Sequence, residues 1–369
     1  MGMESDLARE YPGVASVALA YSGGLDSAVI GRLLSKSGFA VHPVVADIGQ
    51  QSDFSRIKKN AKAMFCSCEY VDARQEMAGA IMRALKANFG SDGRMNPGGI
   101  ARPVIARALA EAARKLSCQA IAHGSSGTGN DHITMENSLR VLAPDMRIIA
   151  PVRDLDLKRD FALQFAKKEG LSLNMGRAGK FSADECLWGR TIRQGTAVDA
   201  SKPLPEEAYK WTQSPLNAPS KPERIELSFK NGIPVHCKAG AKAAQSPLAI
   251  LQLLNSVGAR HGVGRLDAMD DKMVGLKMRE IYECPGMAIL LSSHAEMESL
   301  TLSTRELEVK RQMDAAWGKC VHQGGYYSRL RRFLDAFMDE SSRVVEGCVS
   351  LEVYKGSVRV VGRQSRRAL

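Results

Sequence analysis

From Val14 to about residue 170, short apolar runs alternate with amphipathic helical stretches. The runs VASVALAY, VHPVVAD, CEYVD, CQAIAHG and MRIIAP are short and rich in Val, Ile and Ala, so they read as strands. Between them DFSRIKKNAKAMF, PVIARALAEAARKL and FALQFAKKEG carry helical spacing. Such alternation predicts a doubly wound parallel sheet with helices on both faces. Ligands of such sheets sit outside the carboxyl ends of the strands. The first of those ends is AYSGGLDSA, residues 20–28, where a strand runs through a glycine pair into the helix SAVIGRLLSKSG. Free backbone N–H groups and the positive end of the helix dipole converge there, and glycines let an anion approach the main chain. The expected guest is phosphate.

After Leu171 the rhythm breaks. Residues 196–224 are proline-rich and read as an extended connection. Beyond them come a hairpin through Asn231-Gly232, a helix SPLAILQLLNSVGARHG and a last hairpin turning at Lys355-Gly356. This is the pattern of an α+β second domain, and 369 residues with 44% hydrophobic content suffice for two cores.

Composition narrows the function classes. No apolar run is long enough to span a membrane, and the N-terminal MGMESDLAREYPG is acidic without an apolar signal core, so a cytoplasmic location is expected. The eight cysteines include no C-x-x-C pair and read as reduced structural thiols; no metal-ligand cluster is visible. The net charge of +11 comes from dispersed Lys and Arg, and the clusters RLRR and RQSRR lack interleaved aromatics. A solvated basic surface, or attraction for a polyanion such as ATP, is therefore preferred over a nucleic-acid partner.

The S-G-G-x-D-S loop has neither the Walker A nor the dinucleotide-loop spacing. It resembles the pyrophosphate loop of the ATP pyrophosphatase superfamily, whose nucleotide domain is adenine nucleotide alpha hydrolase-like. That resemblance implies that Ser22, Gly23, Gly24, Asp26 and Ser27 hold the β- and γ-phosphates as a unit, so ATP is cut between α and β. A second glycine-rich stretch, AHGSSGTGNDHITMEN at 122–137, follows another strand. Together with ARP (101–103), ADIGQ (46–50), DECLWGRTI (184–192), RHGVGRLD (260–267) and VGLKMREIYE (274–283), it resembles the argininosuccinate synthase family in order from about residue 15 to 365. The resemblance implies a nucleotide-binding domain at 1–171 and a synthetase and oligomerisation domain at 172–369. It also implies a ligase that adenylates the ureido oxygen of citrulline with ATP and then condenses it with L-aspartate, releasing AMP and pyrophosphate in a homo-oligomer.

Carried over residue by residue, the resemblance gives ATP contacts at Ala20, Tyr21, Ser22, Gly23, Gly24, Leu25, Asp26, Ser27, Ala46, His123, Gly124, Gly127 and Gly129. It places Ser126, Asn130 and Asp131 at aspartate, and Asp26, Arg102, Asn130 and Asp131 in the chemistry. Plainer roles exist: Asn and Asp favour helix caps, and a histidine such as His123 is more often packed and hydrogen-bonded. Magnesium is implied by the triphosphate, held mainly by the phosphates themselves.

The acceptor side departs from the family pattern. Where the family reads Y-L-L-G-T-S-L, this chain has RMNPGGI, so Arg94 stands for a tyrosine and Gly99 for a serine. Thr134 replaces an arginine, Thr191 a serine, Asp270 a glutamate and Arg193 a glutamate, while Ser182 and Tyr282 are kept. Thr128 replaces the lysine of G-K-G-N-D, and the family's C-terminal helical arm is missing after GRQSRRAL. Rearranged charges in a desolvated pocket cost binding energy. Two readings of the acceptor stay open: citrulline in a compensated pocket, or another ureido or carbonyl compound. A tRNA-modifying enzyme with the same loop and a non-catalytic nucleotide sensor are the alternatives of other classes.

Overall fold

The computed structural model describes Leu7, residues 9–65, 67–127, 129–171, Phe181, and residues 183–193 and 199–369. Its backbone groups into two compact units, Met1–Ala73 with Ala101–Ala178, and Arg74–Ile100 with Gly179–Leu369. A single cut near residue 171 does not reproduce this grouping. The helix Arg74–Lys86 buries Met77, Ile81 and Leu85 and packs on helices Pro247–Arg260 and Pro285–Thr301, so it goes with the later unit.

The first unit contains the expected parallel sheet. Its strands are β1 (Ser16–Ala20), β2 (Ala40–Asp47), β3 (Glu69–Asp72), β4 (Ala120–Ala122) and β5 (Arg147–Ile149), in the order β3-β2-β1-β4-β5. Side chains alternate between two cores, as the period of two requires. Val17, Leu19, Val41, Val45, Ala120 and Ala122 face one apolar layer, which includes Ile30 and Leu34 of the helix Leu25–Lys36. Ala18, Val44 and Ile121 face the other, formed with Ala106, Leu109 and Ala113 of the helix Gly98–Lys115 and with Leu139. The order runs outward in opposite directions from β1 and β4, so the switch in chain direction falls between them.

The second unit has two antiparallel sheets. In the four-stranded one β6 (Ala183–Cys186), β7 (Gly189–Ile192), β11 (Arg265–Asp271) and β12 (Lys277–Glu283) lie in the order β11-β12-β7-β6. In the five-stranded one β8 (Glu223–Lys230), β9 (Ile233–Ala239), β10 (Lys242–Ala244), β13 (Gly347–Tyr354) and β14 (Ser357–Gln364) lie in the order β10-β9-β8-β13-β14. Both expected hairpins are present, with Asn231 and Lys355 at positive φ. The expected extended connection is, from 199 to 222, loop and turn apart from a short helical turn at Glu206–Ala208. It is fixed by the buried Glu283 carboxylate, which accepts the N–H groups of Lys210, Trp211 and Thr212 and the Thr212 hydroxyl. Seven described cysteines are free thiols, and burial pushes the Cys237 thiol up to about 12.

A pH dependence is built into this unit. His294 is fully buried, with Nδ1 2.9 Å from Asn88 Oδ1, and burial holds its pKa down at about 4 against an ordinary 6.5. The folded state thus binds fewer protons than the unfolded one, so this histidine stabilises fully above the ordinary value and progressively less as pH falls towards 4. Thermal melts should lose more stability on going from neutral pH to pH about 4.5 in the wild type than in His294→Gln. Identical losses would contradict the assignment.

Candidate active site

Two loops leave the carboxyl ends of adjacent strands at the switch point. β1 and β4 are in register with Leu19 opposite Ala122, so the loops that begin at Tyr21 and His123 emerge side by side. In the first loop Gly23 takes φ +75°, a conformation that disfavours side chains, and a Cβ there would lie 2.8 Å from Ile57 Cγ1. Gly24 caps the helix Leu25–Lys36 without a side-chain hydrogen bond, leaving that helix start open to an anion. The loop is braced from within: Ser22 Oγ lies 3.2 Å from Ser27 Oγ and accepts the Gly24 N–H, while Ser27 donates to the Gly24 carbonyl. Tyr21 is buried and its N–H bonds to the Val44 carbonyl, whereas Ser22, Gly24 and Asp26 face solvent. Ala46 and Asp47 close β2 on the far side of β1, Asp47 accepting the Gly49 N–H and the Tyr70 hydroxyl.

In the second loop His123 is buried at the end of β4. Its Nδ1 accepts the Ser125 N–H, and its Nε2 lies 3.7 Å from Glu136. Burial pulls the Glu136 carboxyl upward, yet the His123 contact and the guanidiniums of Arg153 and Arg140 outweigh it and hold the group below its ordinary value. Glu136 was not singled out in the sequence; its position five residues after Asp131, on the inner side of the helix Asp131–Leu142, is the signal. Gly124 sits so close to the first helix that a Cβ would meet Ile30 Cδ1 at 2.7 Å, and at Gly127 it would meet Arg153 at 3.3 Å, while Gly129 is open. Ser126 is exposed. Asn130 occupies the cap position of the helix without a side-chain cap bond, and Asp131 opens its first turn. Arg102 Nη2 donates to Asp131 Oδ2 at 3.1 Å. Thr134 is buried, and its hydroxyl is spent on the Asn130 carbonyl.

Of the residues that the resemblance carries over to the acceptor, Thr191, Asp270 and Tyr282 lie on β7, β11 and β12, and Arg193 directly follows β7. Register puts Asp184, Thr191, Tyr282 and Leu266 in one row, with Glu280 and Asp270 on the same face. Thr191 is fully buried, and its hydroxyl has no hydrogen-bond partner among the described residues. The Tyr282 hydroxyl donates to Glu280 Oε2 at 2.6 Å. Lys272 Nζ lies 2.6 Å from both Asp270 Oδ2 and Glu280 Oε1, and Arg193 Nε lies 3.0 Å from Glu280. Burial acts to raise the Glu280 carboxyl, but Arg193 and Lys272 overcome it and hold it ionised. Burial and the adjoining Glu280 charge push the Tyr282 phenol upward, so it stays a donor. Glu280 and Lys272 were missed by sequence reasoning, although Glu280 alternates with Tyr282 at strand period.

Arg94 is exposed and forked onto Asp92, with Asp270 and Asp271 adding weaker attraction. Gly99 is packed near Val321 and Asn96. Ser182 and Thr128 lie outside the described residues. Among the described residues no three His, Cys, Asp or Glu side chains are placed to hold a metal ion, and no helix is long and apolar enough to cross a membrane.

Comparison with known proteins divides the chain once, between residues 172 and 181. Residues 16–172 match the Arginosuccinate synthase N-terminal HUP domain, and residues 181–369 the Arginosuccinate synthase C-terminal domain. A protein of Methanopyrus kandleri named Argininosuccinate synthase is 39% identical over 358 residues, covering 96% of this chain and 90% of the relative. Relatives of the same name from Dehalococcoides mccartyi and Pyrobaculum aerophilum are each 40% identical, covering 96% of this chain and 87% and 89% of their own lengths. A parallel sheet with two glycine loops at its switch point, in a chain matched by the two domain models over residues 16–172 and 181–369 and by relatives over 96% of its length, shows that the chain belongs to the argininosuccinate synthase family.

Proposed function

We propose that the protein joins a ureido acceptor, citrulline in the family's reaction, to L-aspartate at the expense of ATP. The observation that carries this is the braced loop at residues 21–27, whose open helix start and left-handed Gly23 fit a polyphosphate. The ureido oxygen attacks the α-phosphorus and pyrophosphate leaves; the aspartate amine then attacks the adenylated carbon, AMP leaves and the amine loses a proton. Loop N–H groups and the hydroxyls of Ser22 and Ser27 take up charge on the departing pyrophosphate. Ala20, Leu25, Ala46, Gly124, Gly127 and Gly129 form the walls through which the nucleotide reaches the main chain. A magnesium ion would be held mainly by the phosphates, with Asp26 the nearest acid of the loop, and would neutralise the triphosphate. Ser126, Asn130 and Asp131 receive aspartate, while Arg102 orients Asp131. Thr191, Arg193, Asp270 and Tyr282, with Ser182, serve the acceptor. Side chains do little acid or base work here; most of the rate comes from proximity. We assign the protein to the cytoplasm as a homo-oligomer on the family's resemblance.

Two measurements test this reading. Purified protein given ATP, magnesium, aspartate and citrulline should form AMP, pyrophosphate and a product of argininosuccinate mass, all three requiring both amino acids. AMP formation indifferent to aspartate would overturn the proposal. Arg102→Ala, which removes the charged hydrogen bond to Asp131, should raise the KM for aspartate roughly tenfold and leave that for ATP nearly unchanged.

A further inference from the structure

The buried face of β7, β11 and β12 already contains both charges of an amino-acid head. Lys272 presents an ammonium to Asp270, and Glu280 presents a carboxylate to the Tyr282 hydroxyl and the Arg193 guanidinium. Lys272 and Glu280 also meet each other at 2.6 Å, and none of Asp270, Lys272, Glu280 and Tyr282 is more than 8% exposed. Each ionic group of the face is therefore partnered from within the chain. The Thr191 hydroxyl on this face is neutral and has no hydrogen-bond partner among the described residues.

We propose that Lys272 and Glu280 are specificity-determining residues of the acceptor site, acting as tethered stand-ins for the ammonium and carboxylate of an amino-acid head. The inference rests on the ligase reading given above, in which Asp270, Tyr282, Thr191 and Arg193 face the acceptor. A zwitterionic ligand must displace Lys272 from Asp270, and Glu280 from Tyr282 and Arg193, before its own head can make those contacts. Buried ion pairs give up partners at a high cost, because a charge is left unpaired in a desolvated place. A ureido compound without ammonium or carboxylate makes no such demand; it needs only neutral hydrogen bonding, which Thr191 offers. The site is thus tuned towards ureido acceptors whose tail lacks the zwitterionic head. Removing both stand-ins leaves the face's charge balance unchanged; Asp270 loses Lys272, and Arg193 loses Glu280 while keeping Asp184 at 3.0 Å, so both can turn towards an incoming head.

The test compares citrulline with N-butylurea, which shares the ureido end and has an uncharged tail. Calorimetric titration of citrulline into the full chain should give a Kd at least tenfold lower for the double variant Lys272→Met, Glu280→Ala than for the wild type. An unchanged or higher Kd in a variant with a normal melting transition overturns the proposal. Should the double variant fail to fold, the wild type alone decides: N-butylurea should support aspartate-dependent AMP release with a kcat/KM at least equal to that of citrulline, and a tenfold preference for citrulline overturns the inference. Failure of the ligase reading itself would appear differently, as no AMP formed with either acceptor, while the citrulline binding ratio would still decide the role of the two side chains.

Discussion

Gly23→Val should lower pyrophosphate release by roughly 10²–10³-fold while the protein stays folded. At φ +75° a β-branched residue is disfavoured by the backbone itself, and the new Cβ would sit 2.8 Å from Ile57 Cγ1, closer than packed atoms approach. The chain can relieve both only by moving the loop between β1 and the helix Leu25–Lys36. A shift of about 1 Å is enough to spoil donors that must meet charge as it develops. The strand and helix on either side bury their own apolar residues and do not depend on the loop, so circular dichroism and the melting temperature should change little. Wild-type release rates in this variant would show that the loop does not hold the phosphates.

Glu283→Ala should cost stability rather than chemistry, about 3–5 kcal/mol. The carboxylate is fully buried, pairs with Arg190 Nη1 at 2.7 Å and accepts three consecutive backbone N–H groups and a hydroxyl from Lys210 to Thr212. Truncation leaves a buried guanidinium without this carboxylate and three N–H groups without their acceptor. For a chain of this size the melting temperature should fall by roughly 10 °C. Glu283→Gln keeps the shape and part of the acceptor capacity, so it should fall less. Equal melting temperatures for the wild type and Glu283→Ala would contradict the assigned role.

The parallel sheet was legible because each of its strands is a short apolar run and each connecting helix an amphipathic one. In such a fold local pattern and tertiary role coincide. Its loop was legible for a related reason: Gly23 takes a positive φ that side chains disfavour, so the turn out of β1 is written in its glycine. The four-stranded sheet of the second unit was harder to read. Its face carries Asp270, Lys272, Glu280 and Arg193, which by type belong at a surface, and only cross-strand register shows that they bury one another. Glu283 is similar. In sequence it is one more acid at a strand end, and its partners lie about seventy residues earlier in the chain. The assignment of residues 74–100 to the later unit also rests on long-range packing, of Met77, Ile81 and Leu85, that no local pattern announces.

If the loop after β1 holds the β- and γ-phosphates together, ATP is cut between its α- and β-phosphorus. Phosphorus NMR of a reaction containing ATP, magnesium, aspartate and a ureido acceptor reads this bond directly. AMP and pyrophosphate are expected in equal amounts; ADP and inorganic phosphate as the primary products would mean that the loop does not hold the two outer phosphates as a unit.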